Sequence, residues 1–177
     1  MSRDVLTPFS YAILVLVGGE GAGPHDLVRM ARQGKIYAAA AESQYYAEPK
    51  RLERLGYLMS RKEPGRTRER THYSLTDMGL EALRAWATEP VSFPRTLHEG
   101  VVRLLAADLV GEGSTRAGIA PLRAELDELD ALLDRADEAA ATLPHREKYL
   151  RINHRLARRL VEAHREWVDD VERELDA

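Results

Sequence analysis

Apolar positions in the first half of the chain fall into short helical sets separated by glycine and proline. Tyr11, Ile13, Leu14 and Val17 follow Thr7-Pro8, a capping residue with proline at the first helical position, and stop at Gly18-Gly19. A glycine-rich turn then leads to a helix predicted over 25–33, with Leu27, Val28 and Met30 apolar and Gly34 as its stop. The Ala-rich stretch 35–42 fits either a third short helix or a loop. Ser43 is read as the N-cap of the next helix, with Tyr46 at the third position and so no capping box; Leu52, Leu55 and Leu58 form its apolar face. Pro49 interrupts this helix, because an interior proline removes a hydrogen bond and costs roughly 3 kcal/mol. Either a continuous element kinks there, the favoured reading, or the regular helix begins near Glu48.

After Gly56 the pattern changes. Leu58-Met59-Ser60-Arg61 is expected to pair with Thr71-His72-Tyr73-Ser74-Leu75 across a tip holding Pro64-Gly65-Arg66. Thr76 then caps a helix through Leu80, Leu83 and Trp86, which ends before Pro90, and 88–94 reads as a linker with two prolines. Beyond it only helices are expected: one over about 97–109, a break at Gly111-Glu112-Gly113, a long helix over about 120–143 and a last one over about 145–175. In the long pair, apolar residues recur at 122, 126, 129, 133, 136, 140 and 143, and at 152, 156, 160, 163, 167, 171 and 175. Intervals of three and four predict seams covered by other helices.

These elements give a mainly α fold with a small two-stranded β-wing. An N-terminal winged helix-turn-helix (1–88) precedes C-terminal long antiparallel helices (89–177), whose apolar seams are expected to pair two copies of the chain. The chain has 177 residues, 44% hydrophobic and 31% charged, which suits a core with long exposed helices. No apolar run reaches membrane-spanning length, and 11–17 lacks the basic leader and cleavage site of a signal peptide. With no cysteine, disulfides, thiolate metal sites and cysteine nucleophiles are excluded, and a cytoplasmic location is expected.

Charge is divided unevenly. The formal net charge is −3, yet 50–72 holds eight Lys/Arg against three acids. Residues 1–90 carry 13 basic and 11 acidic side chains, and 91–177 carry 13 and 18. An acidic half repels phosphates, so DNA contact is assigned to the first half. A short helix followed by a basic ribbon is the arrangement in which a winged helix meets DNA, the helix in the major groove and the wing at backbone or minor groove. Ser43, Gln44, Tyr45 and Tyr46 stand where base readers belong, with Gln44 suited to bidentate pairing with adenine. Of the two tyrosines, Tyr46 is expected to be the more buried. Lys50, Arg51 and Arg54 cluster beside the apolar face, while Arg66, Arg68 and Arg70 alternate and so share one face of the ribbon.

The opening LTPFSYAILVLV, the segment SQYYAEPKRLERLGYL, the wing GRTRERTHYSLT and the following DMGLEALRAW resemble the PadR family of transcriptional regulators. The resemblance covers about half the chain by motif, and the acidic helical remainder is similar to the longer dimerisation region of one PadR subgroup. It implies a homodimeric repressor on a palindromic operator in double-stranded DNA, released by a small hydrophobic effector. It also implies that Trp86, Tyr149 and Trp167 line an effector cavity at a dimer seam, against the alternative that they are core or interface anchors. The family's usual leucine in the recognition helix is Pro49 here.

No enzyme is expected. The six histidines form no HExxH and no triad, the glycines at 18–23 lack a phosphate-loop lysine, and the acids from Asp127 to Glu138 lack the companions of a metal site. No cofactor or metal is expected. The rival reading is a winged-helix protein-interaction adaptor without a DNA role, its acidic helices recruiting a partner.

Overall fold

The computed structural model describes residues 5–33, 40–64, 69–94 and 97–175. The chain divides into two compact units, Met1–Ser92 and Phe93–Ala177.

In the first unit, α1 (Pro8–Val17), α2 (Pro24–Gln33) and α3 (Glu42–Arg54) are followed by β1 (Leu58–Glu63), β2 (Arg70–Leu75) and α4 (Asp77–Trp86). Local chemistry sets the ends of two helices. The Thr7 side chain accepts from the Ser10 amide at the start of α1, and Thr76 does the same for Gly79 at the start of α4. The α1 start is closed reciprocally, because the Ser10 hydroxyl accepts from the Thr7 amide. Strands β1 and β2 pair antiparallel with Leu58 opposite Leu75 and Glu63 opposite Arg70. One core joins these elements: Ile13, Leu14 and Val17 of α1, Leu27 and Val28 of α2, Tyr45 and Leu52 of α3, and Leu58 and Tyr73 of the hairpin.

The hairpin is tied at its base. The Ala22 amide donates to the Tyr73 carbonyl and the Tyr73 amide to the Ala22 carbonyl, both at 3.0 Å. Gly21 makes this approach possible: its φ of +81° suits glycine, and a Cβ there would collide with the His72 ring and the Tyr73 carbonyl.

Helix α3 departs from expectation at its start. It begins at Glu42, its N-cap is Ala41 rather than Ser43, and the Gln44 side chain accepts from the Ala41 amide at 3.2 Å. The helix is continuous through Pro49, which is buried. The stretch 34–39, expected to be helix or loop, lies outside the described residues.

The second unit holds α5 (Glu99–Leu105), α6 (Ala107–Val110), α7 (Glu112–Ile119), α8 (Leu122–Ala141) and α9 (Pro144–Glu174). The expected helix over 97–109 is thus two short ones, and the expected break at 111–113 is confined to Gly111, whose φ is +95°. Helices α8 and α9 form an antiparallel hairpin, because ion pairs join residues far apart at one end and close at the other: Arg123–Asp169, Asp127–Arg165, Asp137–His154.

The seam of α8 runs through Leu126, Leu133, Ala136 and Ala140, all expected positions. That of α9 follows expectation only at Val171. Ala157, Val161, Val168 and Val171 are buried, whereas Ile152, Leu156 and Leu160 are 46%, 51% and 39% exposed. Alanines at 136, 140 and 157 let the two helices pack with small side chains between them, which leaves the larger stripe on the neighbouring flank of α9, about 100° round the helix. Acids of α8 pair across the hairpin. Arg158 reaches Asp134 at 2.8 Å and Asp137 at 3.1 Å, and Arg165 reaches Asp127 and Asp130 at 3.1 and 3.2 Å.

Candidate nucleic-acid interface

Helix α3 has two opposed faces. Tyr45, Pro49 and Leu52, spaced by four and three, form the buried stripe, while Ser43, Gln44, Ala47, Lys50 and Arg54 are exposed. Lys50 and Arg54 make no ion pair with any described residue, so their charge is open to solvent and to anions. This exposed face and the near face of the wing form an open groove lined by Ser43, Tyr46, Ala47, Lys50, Glu53 and Arg54 of the helix and by Ser60, Lys62, Thr71 and Tyr73 of the wing. Lys62 donates to the Thr71 hydroxyl at 2.9 Å, and Ser60 donates to Glu53 at 2.5 Å. A helix face and a ribbon face meeting at a cationic groove can cradle a nucleic-acid backbone while the helix reads base edges.

Tyr45, Tyr46 and Arg51 sit differently from expectation. Tyr45, not Tyr46, is the buried tyrosine: it is 5% exposed and packs edge-on against Phe9 at 5.2 Å between ring centres. It lies in register with Leu52, two turns on, so the core claims it and it cannot face a base. Tyr46 is half-buried, its hydroxyl hydrogen-bonded to His25 Nδ1 at 3.1 Å. Arg51 turns inward. It holds Glu48 with two nitrogens at 2.7 and 2.9 Å and donates to the buried Ser10 hydroxyl at 3.0 Å, while Ser10 donates to Glu48 at 2.7 Å. Burial alone would raise the Glu48 carboxyl, but the hydrogen bonds from Arg51 and Ser10 outweigh it and hold the group below the usual carboxylate range. Arg51 therefore ties α3 to α1. Gln44 is exposed, yet its carbonyl oxygen already serves the Ala41 amide, a bond that bidentate contact with adenine would have to replace.

Arg66 and Arg68 lie outside the described residues. Arg70 is exposed on the far face of the wing, 3.3 Å from Glu63. Strand parity explains this: Leu58, Ser60 and Lys62 share a side with Thr71, Tyr73 and Leu75, which leaves Arg61, Glu63, Arg70 and His72 on the other. Lys62 and Thr71 are thus the wing residues that the sequence reading missed. Their signal was alternation from the buried Leu58 and Tyr73.

The three aromatics assigned to an effector cavity are divided between the two units. Trp86 stacks on Tyr11 at 4.6 Å in the first unit. Tyr149 is 64% exposed on α9, and Trp167 packs against His98 at 5.4 Å and against Gly100. Eighteen helical residues put Tyr149 and Trp167 roughly 27 Å apart along α9, so they do not line one cavity within a single chain. Among the described residues no group of three His, Asp or Glu is placed to hold a metal ion, and no helix is long and apolar enough to cross a membrane.

No protein-family model and no curated protein sequence matches the chain. Solved structures do. Bacillus subtilis PadR in complex with operator DNA is 21% identical, with 96% of this chain and 98% of that one covered at a TM-score of 0.74. The same PadR has been solved with p-coumaric acid, at 19% identity and a TM-score of 0.69 over 96% of this chain and 99% of that one. The Vibrio cholerae virulence activator AphA is 23% identical over 94% of this chain and 97% of its own, with a TM-score of 0.75. The PadR-like regulator BC1756 of Bacillus cereus is 15% identical over 94% and 95%, with a TM-score of 0.76. A wing beside a half-exposed helix, followed by a helical hairpin, is thus the fold of the PadR and PadR-like transcriptional regulators.

Proposed function

We propose that this chain is a sequence-specific DNA-binding transcriptional regulator that acts in the cytoplasm. The observation that carries the reading is the two-faced α3. One stripe is locked into the core, and the other presents Ser43, Gln44, Lys50 and Arg54 beside Lys62 of the wing. Tyr46 lines the same groove. The operator complex of Bacillus subtilis PadR supports the same reading.

One such unit makes few phosphate contacts, and we propose a homodimer on a palindromic operator with half-sites about 34–36 Å apart. The exposed stripe Tyr149, Ile152, Leu156 and Leu160 on α9 supports pairing of two copies through the second unit. Binding at a promoter then excludes polymerase from the same duplex, and repression follows. A small hydrophobic effector that releases the DNA is supported by the p-coumaric acid complex of PadR. This makes 1–88 the reading head and 89–177 the pairing and sensing region.

The test is selection of bound duplexes from a random library, followed by titration of the selected sequence against salt. A half-site repeated in inverted order is expected, with affinity falling steeply as salt rises. Enrichment of no sequence would overturn specific recognition, and a single unrepeated site would overturn the dimer. Addition of p-coumaric acid to the complex tests the effector.

A further inference from the structure

The far face of the wing gathers cations around one acid. Strand register sets Arg61 opposite His72 and Glu63 opposite Arg70, so all four side chains stand on the side turned away from the groove. Glu63 receives Arg61 at 2.7 Å, Arg70 at 3.3 Å and His72 at 3.7 Å. Its carboxyl sits below the usual range, first because Arg61 hydrogen-bonds to it and then through the charges of His72, Arg61 and Arg70. The base of this cluster is fixed, since His72 is mostly buried and contacts the Glu20 carbonyl at 3.2 Å. Arg61 and Arg70 are exposed, their side chains 66% and 60% accessible.

Two guanidiniums converging on one pair of oxygens is how arginine grips a phosphate. Here a carboxylate from the protein's own strand takes that place. A ribbon entering a minor groove about 6 Å wide has a phosphate backbone on either side of it, so both of its faces meet anions.

We propose that Glu63 is a built-in competitor of DNA phosphate: it engages Arg61 and Arg70, offsets one of their two positive charges, and thereby limits sequence-independent affinity. The proposal rests on the DNA-binding reading above. It assigns the wing an asymmetric role. The near face, with Lys62, contributes attraction, and the far face is restrained so that α3 decides where the protein stays.

The test compares two substitutions with the same change in charge on the same wing. Glu63→Gln removes the competitor, and Glu69→Gln removes an exposed acid just before β2. Each variant is titrated against a labelled duplex of mixed sequence across a salt series, with circular dichroism melts confirming that both are folded. Freeing two guanidiniums makes the slope of log K against log salt steeper by up to about 1.8 and tightens binding about tenfold at moderate salt. Glu69→Gln is expected to change affinity by about threefold or less, with little change in slope. Adding Arg61→Ala and Arg70→Ala to Glu63→Gln is expected to cancel the gain. Equal shifts for the two single variants, or a gain that survives loss of both arginines, would overturn the proposal while leaving DNA binding intact. Absence of any salt-dependent binding by the unaltered protein would instead sink the DNA reading.

Discussion

Helix α3 and the α8–α9 hairpin are both rich in charge, and they use it in opposite ways. In the hairpin, Arg123, Arg158 and Arg165 each bridge two or more carboxylates of the facing helix. In α3, Lys50 and Arg54 face outward with no such partner among the described residues, although Arg51 between them is fully engaged. Counting cations therefore says little about where phosphate binds. What separates a binding surface from a structural one is whether each cation has already been given an acid by the fold.

The comparison can be broken most forcefully through the core that supports it. Leu52→Ala removes a fully buried side chain from beneath the exposed face of α3 and is expected to cost about 2–5 kcal/mol, seen in denaturant melts, with DNA binding lost alongside. Next comes the opposite dissociation. Lys50→Ala with Arg54→Ala should leave the melt within about 0.5 kcal/mol of the parent. The pair should weaken DNA binding roughly tenfold and make its salt slope shallower by about 1.8. An unchanged slope would mean that these cations do not meet phosphate.

Arg158→Ala should do the reverse. It is expected to lower stability by about 1 kcal/mol, discounted because the pairs are partly exposed, and to leave the salt slope of DNA binding unchanged. The smallest effect is in acid. The Asp137 carboxyl is held below its ordinary value, first by the hydrogen bond from His154 and then by Arg158. A group with a depressed folded pKa contributes stability above its unfolded value of about 3.9, and that contribution is lost as pH falls through the folded value. Asp137→Asn should therefore flatten the pH dependence of the melt below about pH 4 and leave DNA binding near neutrality unaltered.

How far the fold was legible depended on the kind of signal. Thr7-Pro8 and Thr76 announce helix starts through chemistry confined to one turn, and both helices stand where those residues place them. The hairpin register is legible at its base, where the apolar residues Leu58 and Leu75 face each other. The tyrosine assignment failed although its signal was present: Tyr45, Pro49 and Leu52 share a stripe, whereas Tyr46 shares one with Lys50 and Glu53. Helix α9 was harder because it carries two apolar stripes. The larger residues, Ile152, Leu156 and Leu160, drew the reading, but only the partner helix decides which stripe is covered, and α8 with its alanines accepted the smaller one. Arg51 could not be told from Lys50 or Arg54 by type. Its fate depended on Ser10, forty-one residues away, and that separation is tertiary information.

The bridge between Ala22 and Tyr73 has a consequence for motion. A two-stranded ribbon on its own is marginally stable and frays. Here a pair of amides from distant parts of the chain close on each other at its root, next to the buried Tyr73 ring. Hydrogen exchange at Ala22 and Tyr73 should accordingly track global opening of the first unit, while amides nearer the ribbon's free end exchange by local fraying. The wing would then behave as a lever with a fixed fulcrum.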